Sequence, residues 1–299
     1  MNTKIFSRFC MSGVGWLALC LILVGCSPGQ YQGIATPSTQ SPKPTSAPPT
    51  ATLPPPTATP LPFEGLKEWD LVIISASGLW NVTEPFARLI EQDRGVKVVE
   101  HDETQGSLMA RDILKALQGD SGGSFKREKW SQLISDAEVL VLSLGAPDAS
   151  LSEEQSRKLN LCMASPPPGQ SCCTAESIAP WKADWDAIWK EIAALREGRP
   201  LIVRAVEMYN PWLARLPDGE SENVARACYD IISTAFLQSA EAHGVPVVSA
   251  YDALNGPNHD QDIDAKGLLW DGEHLNEAGV KLMVELLHGS GYDYAVVQH

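Results

Sequence analysis

From Trp69 onward the chain alternates short apolar runs with amphipathic stretches. Leu71-Val72-Ile73-Ile74 is apolar at every position and closes on the small, turn-forming Ser75-Ala76-Ser77-Gly78. A run that short, bounded by a turn, predicts a strand. Glu84 to Asp93 follows, with Phe86, Leu89 and Ile90 at helical spacing on one face. Val96 to Val99 predicts the next strand and Ser107 to Leu117 the next helix. Val139-Leu140-Val141-Leu142 is a third strand, apolar on both faces and therefore buried on both. Further strands are predicted over Leu201 to Val206 and Val245 to Val248, with helices over Trp181 to Leu195, Asn223 to His243 and Asn276 to Leu287. Strands separated by helices predict an α/β fold for residues 63–299: one domain, a three-layer α/β/α sandwich around a central parallel sheet of about five strands. Functional groups in such sheets gather at the C-terminal strand ends. Three of these ends stand out: Ser75 to Gly78, Gly145-Ala146-Pro147-Asp148, and the segment after the last strand.

Before residue 63 the pattern changes. Lys4 and Arg8 precede an uncharged, mostly apolar stretch from Phe9 to Val24, whose 16 residues fall short of the roughly 20 that span a bilayer. The stretch ends in Leu23-Val24-Gly25-Cys26, which resembles the lipobox of bacterial lipoproteins. That resemblance implies a signal peptide over 1–25, removed on export, and a lipidated Cys26 that anchors the chain to the membrane, facing outward. Residues 27–62 hold 11 of the chain's 22 prolines, seven threonines and no acidic residue. Such a tract favours extended polyproline II and cannot bury a core, so residues 26–62 read as a disordered tether. At about 3.1 Å per residue it reaches roughly 110 Å.

Composition narrows the function classes. A chain that is 44% hydrophobic with nine tryptophans is neither collagen-like nor wholly disordered. The net charge is −14, and the only charges before residue 63 are Lys4, Arg8 and Lys43, so the body carries all the acidity. An acidic body repels phosphate backbones, which argues against nucleic acid as a partner. Beyond Cys26 the body holds Cys162, Cys172, Cys173 and Cys228, an even number in an exported chain. Neighbouring cysteines rarely bond each other, so one of Cys172 and Cys173 is expected to pair with Cys162 and the other with Cys228. The spacing lacks the paired knuckles of a zinc site.

The sharpest local motif is Trp270-Asp271-Gly272-Glu273-His274-Leu275-Asn276-Glu277-Ala278-Gly279, just before the last predicted helix. An Asp three residues ahead of a His can hold one ring nitrogen and leave the other free as a base. Asn276 can cap the helix that starts there. The pattern Asp-Gly-x-His-Leu-Asn-x-x-Gly resembles the C-terminal block of the SGNH hydrolases, the GDSL-type lipases and esterases. The order of blocks from Trp69 to about Leu287 follows that family too. The resemblance implies the flavodoxin-like SGNH fold and a Ser-His-Asp triad of Ser77, His274 and Asp271. It implies an oxyanion hole from the backbone N–H groups of Ser77 and Gly106, and it requires no metal or organic cofactor. Two departures stand out. The family's Gly-Asp-Ser is Ser75-Ala76-Ser77 here, and its Gly-x-Asn-Asp block is Gly145-Ala146-Pro147-Asp148, where Pro147 offers no donor. Asn81 lies near the nucleophile.

Other features resemble sites. Gly119-Asp120-Ser121-Gly122-Gly123-Ser124 carries the letters of a serine-protease loop but follows a helix, and only His101 precedes it. It reads as a helix-terminating loop. Trp181, Trp185 and Trp189 recur every four residues on one helical face and read as core, with a sugar or acyl groove as the alternative. Asp260, Asp262 and Asp264 alternate as in a calcium loop, but Ala265 stands where the sharp turn requires Gly. The expected function is a membrane-anchored, extracellular ester hydrolase acting on a small-molecule, glycan or lipid ester. The alternatives are a degenerate SGNH-fold binding module and a carbohydrate-binding domain.

Overall fold

The computed structural model describes residues 63, 65–106, 108–119, 130–143, 162, 173–211, 213 and 219–299, with 219–225 as backbone only. These lie in one compact unit, Ala58–His299. The leader, Cys26, the Pro/Thr tract, Ser107, Ser121, the block from Gly145 to Asp148, and Cys172 lie outside the described residues.

The apolar runs form a five-stranded sheet, all parallel, in the order β2-β1-β3-β4-β5. Its strands are β1 (Glu68–Ser75), β2 (Lys97–Thr104), β3 (Val139–Ser143), β4 (Ile202–Val206) and β5 (Val247–Val248). Alternation along each strand sends side chains to two cores. Val72, Ile74, Leu140, Leu142 and Val203 face one side, and Leu71, Ile73, Val139, Val141 and Ile202 the other. The first core is covered by α2 (Ala110–Leu117), α3 (Trp130–Asp136), α4 (Ala175–Arg196) and α5 (Gly219–Ala242). The second is covered by α1 (Thr83–Arg94) and α7 (Glu277–Gly289). A short α6 (Ala250–Asn255) follows β5. Two buried faces explain why β1 and β3 read as unbroken apolar runs rather than alternating ones.

Several boundaries differ from the sequence expectation for physical reasons. β2 continues past Val99 through Glu100, His101, Asp102 and Glu103 because an edge strand can turn polar side chains to solvent while its backbone pairs with β1 to Thr104. His101 bonds Asp70 at 2.8 Å, and Glu103 accepts the Trp130 indole N–H at 2.9 Å. α4 begins at Ala175, not at Trp181, and contains Pro180. Its start is set by a capping box in which Thr174 Oγ1 accepts the Ser177 N–H and Ser177 Oγ accepts the Thr174 N–H. Trp181, Trp185 and Trp189 are buried in this helix, so the stripe is core and the groove alternative for it falls. The short helices α3 and α6 have too few residues to show a period in the sequence.

Cys173, at the foot of α4, is disulfide-bonded to Cys228 in α5, and Cys162 is disulfide-bonded as well. Two buried arginines fasten loops. Arg196 donates to the carbonyls of Ile134, Ser135, Ala137 and Pro200. Arg204, inside β4, donates to Ser290, Gly291 and Asp293 carbonyls and so pins the C-terminal segment under the sheet.

The connection from β1 runs to β2 on one side, whereas β3 lies on the other. The strand order therefore reverses between β1 and β3, the place where an open parallel sheet leaves a crevice at its C-terminal edge.

Candidate active site

Ser75 ends β1 fully buried, its Oγ 2.6 Å from Ala76 O and 3.2 Å from Thr104 Oγ1 of β2. Its hydroxyl is spent within the sheet. The next residues leave the strand under control from both neighbours: the Ala76 N–H donates to Ser143 O of β3, and the Gln105 N–H donates to Ser75 O. Ala76 is extended, and Ser77 opens a 3₁₀ turn, Ser77–Leu79, closed by the Trp80 N–H on Ser77 O at 3.2 Å. Asn81 then takes a left-handed conformation (φ 64°), which Asn tolerates better than most residues, and the chain enters α1. This tight exit lifts Ser77 above the sheet at the reversal point.

Opposite it stands the loop from Leu268 to Asn276. Leu269 and Leu275 form an antiparallel bridge, the Trp270 N–H donates to His274 O at 3.0 Å, and the Asn276 N–H donates to Leu268 O at 2.9 Å. Gly272 turns the tip with φ 80°. Asn276 closes both ends: its Oδ1 accepts from Ala278 and Gly279 N–H at the start of α7, while its Nδ2 donates to Gly267 O and Leu269 O. Tyr209, past β4, donates its hydroxyl to Glu273 O at 3.0 Å, and its burial pushes the phenol well above its ordinary range.

Inside this loop Asp271 turns both carboxylate oxygens toward its neighbours. Its Oδ1 accepts the backbone N–H of Glu273 (3.0 Å) and of His274 (2.8 Å), and its Oδ2 lies 2.7 Å from His274 Nδ1. Desolvation pushes the carboxyl up, but the His274 backbone and ring hydrogen bonds and the Glu273 N–H outweigh it and hold it at about 2. An ionised Asp271 at Nδ1 keeps the ring hydrogen of the neutral imidazole on that side. The Nε2 lone pair then faces Ser77 Oγ, 3.1 Å away. The structure thus brings together Ser77, His274 and Asp271, residues up to 197 positions apart in the chain, in a single hydrogen-bonded series.

Gly106, the second expected oxyanion donor, follows β2 on the same edge. A Cβ built there would meet Trp80 Cζ2 at 3.8 Å, so the glycine lies against the indole beside the Ser77 turn. Pro147 and its block lie outside the described residues.

Two residues of the site escaped the sequence reading. Trp80 stacks on the His274 ring with centroids 4.6 Å apart and planes 17° apart. Trp270 lies 6.0 Å from the same ring at 31°. Both indoles are solvent-exposed, Trp80 by 37% and Trp270 by 65%. The available signal was a tryptophan in each of the two motif loops, outside any helical stripe. Among the described residues no cluster of His, Cys, Asp and Glu is arranged to hold a metal ion, and the Asp260–Asp264 stretch is a loop in which Asp262 accepts the Asp264 N–H.

No protein-family model and no curated protein matches the chain. Solved structures do. The lipase Lip_vut3 from a goat rumen metagenome is 15% identical with a TM-score of 0.51, over 75% of this chain and 98% of that one. A variant of the acetyl xylan esterase Axe2 from Geobacillus stearothermophilus is 14% identical at 0.51, over 75% and 95%. A protein described as GDSL-like, from Parabacteroides merdae ATCC 43184, is 12% identical at 0.51, over 75% and 96%. At these identities the likeness is one of fold: the chain has the three-layer α/β/α fold of the SGNH, or GDSL-type, hydrolases.

Proposed function

We propose that this protein is a serine ester hydrolase, exported and held outside the membrane by a lipidated Cys26. The observation that carries the reading is the series Ser77–His274–Asp271, with a 3.1 Å serine–imidazole and a 2.7 Å imidazole–carboxylate contact. Lipases and an acetyl xylan esterase among the proteins of similar fold support an ester as substrate. The same series favours an enzyme over a binding module, because a ligand surface has no use for a hydroxyl aimed at a carboxylate-oriented imidazole.

In this mechanism Ser77 Oγ bonds to the carbonyl carbon of the ester while His274 Nε2 takes its proton. The carbonyl π electrons move to oxygen, and the backbone N–H groups of Ser77 and Gly106 receive that charge. Collapse breaks the bond to the alcohol, which leaves with the proton from His274. Water then gives a proton to Nε2 and attacks the acyl carbon, releasing the acid and restoring Ser77. Asp271 stays ionised and stabilises the imidazolium at both transfers.

A fluorophosphonate probe tests this. The label is expected on the Ser77 peptide, and Ser77→Ala should abolish both labelling and p-nitrophenyl acetate hydrolysis. Ser75→Ala should leave activity within a few fold, since its hydroxyl faces the sheet. Labelling of another serine, or turnover that survives Ser77→Ala, overturns the assignment. For the anchor, Cys26→Ser should leave the precursor uncleaved and without fatty acid by mass spectrometry.

A further inference from the structure

We infer that Trp270 and the groove behind it form a sugar-binding subsite, so that the ester is carried on a glycan. This rests on the hydrolase reading above. Trp270 is the most exposed large hydrophobic residue among those described, at 65%, yet its backbone is held firmly. Its N–H donates to His274 O, and the bridge between Leu269 and Leu275 fixes the loop on both sides of it. An exposed indole on a fixed backbone, at the lip of a reaction centre and beside a groove, is placed to meet a ligand.

Position decides which part of the substrate it meets. The alcohol leaves by taking the proton from His274 Nε2, so it must sit beside that ring. One face of the imidazole is covered by Trp80 at 4.6 Å, and the more exposed Trp270 indole lies 6.0 Å from the same ring. The alcohol moiety, not the acyl group, therefore passes over Trp270.

Beyond Trp270 a groove of about 750 Å³ runs between the starts of α1 and α7, a size that accommodates a small ligand. Its lining mixes apolar Pro85, Val280 and Val284 with charged Glu84, Arg88 and Lys281. A fatty alcohol laid there would meet the apolar positions and return no hydrogen bond to the charged ones. A sugar offers both surfaces at once: C–H faces for the indole and hydroxyls for the charged walls. The net charge of −14 also opposes approach to anionic lipid. The geometry points to an O-acylated oligosaccharide, with the acylated ring on Trp270 and the next units between α1 and α7.

The test compares acetylated cello-oligosaccharides with ethyl acetate on the full-length protein. Trp270→Ala should raise KM for the sugar ester at least ten-fold more than it raises KM for ethyl acetate. Trp270→Phe should restore most of the loss, and Arg88→Ala should raise KM for oligosaccharide esters more than for a monosaccharide ester. Equal losses on both esters would overturn the proposal by assigning Trp270 to the triad instead. Calorimetry on Ser77→Ala protein gives a readout independent of turnover: unacetylated cello-oligosaccharide should bind saturably, and the further change Trp270→Ala should abolish binding. No binding overturns the sugar subsite even if ethyl acetate is hydrolysed. Binding without turnover of either ester supports the subsite and refutes the hydrolase reading.

Discussion

Gly279→Ala sets two effects of opposite sign against each other. Gly279 lies in the first turn of α7, where its N–H donates to Asn276 Oδ1. By helix propensity alone alanine should stabilise by up to about 1 kcal/mol. The structure reverses that sign. A Cβ at Gly279 would stand 2.4 Å from Leu268 O and 2.9 Å from Leu275 Cδ2. Ordinary carbon–oxygen contacts begin near ~3.3 Å, so backbone must move by about 1 Å. Overpacking of that kind costs about 1–3 kcal/mol. The Asn276 N–H bond to Leu268 O is loosened as well, at about 1 kcal/mol. The net expectation is destabilisation by about 1–3 kcal/mol. At about 2–4 °C per kcal/mol for a domain of this size, Tm should fall by about 2–12 °C in a calorimetric scan. Leu268 begins the loop that carries Asp271 and His274, and misplacement by about 1 Å can cost roughly 10²-fold, so p-nitrophenyl acetate turnover should drop with it. Lys281→Ala, on the exposed face of α7, is the control and should stay within ±0.5 kcal/mol. A Tm for Gly279→Ala equal to or above that of the wild type would refute the reasoning, since helix propensity would then outweigh the contact.

Asp271→Asn should lower kcat by about 10⁴-fold, because an amide at Nδ1 favours the wrong imidazole tautomer while the loop retains a backbone acceptor. Since the Asp271 carboxyl is held at about 2, its contribution to stability is present above its ordinary value near 4 and is lost as pH falls toward 2. The stability gap between wild type and Asp271→Asn in urea should therefore close over that window; a gap unchanged down to pH 2 contradicts it. Trp80→Ala should reduce kcat/KM by roughly two- to five-fold through loss of the stacked indole that stabilises the imidazolium, and Trp80→Phe should recover most of it. An alanine variant as active as the wild type would dismiss that role. Cys228→Ser opens a cross-link spanning 55 residues, which chain entropy rates at about 4 kcal/mol, and chemical denaturation should show a loss of that order. A loss below about 1 kcal/mol would mean the link constrains little.

What the sequence determined on its own was whatever depends on local order. Apolar runs such as Leu71 to Ile74 and Val139 to Leu142 are strands because they are too short for helices and bounded by turns, and alternation with amphipathic stretches dictates parallel pairing. The contact between Asp271 and His274 was equally legible, since a separation of three residues around a glycine lets the carboxylate reach the ring. So was the cap at Asn276, whose side chain bonds residues two and three positions on.

The tertiary structure decided what depends on residues far apart in the chain. Ser75 and Ser77 look alike in sequence, and the register of β1 between β2 and β3 buries the first while the turn raises the second toward His274. The stacking of Trp80 on His274 joins residues nearly 200 positions apart, which no periodicity encodes. The glycine at 279 matched a motif, but its reason is the carbonyl of Leu268, brought against it by the fold of the loop. The same holds for the three helical tryptophans. Their spacing shows that they share a face, and the packing of α4 on the sheet and α5 shows that this face is core, leaving two loop tryptophans to line the site. Periodicity reports which residues lie on one side of an element; what that side meets is set by the elements packed against it.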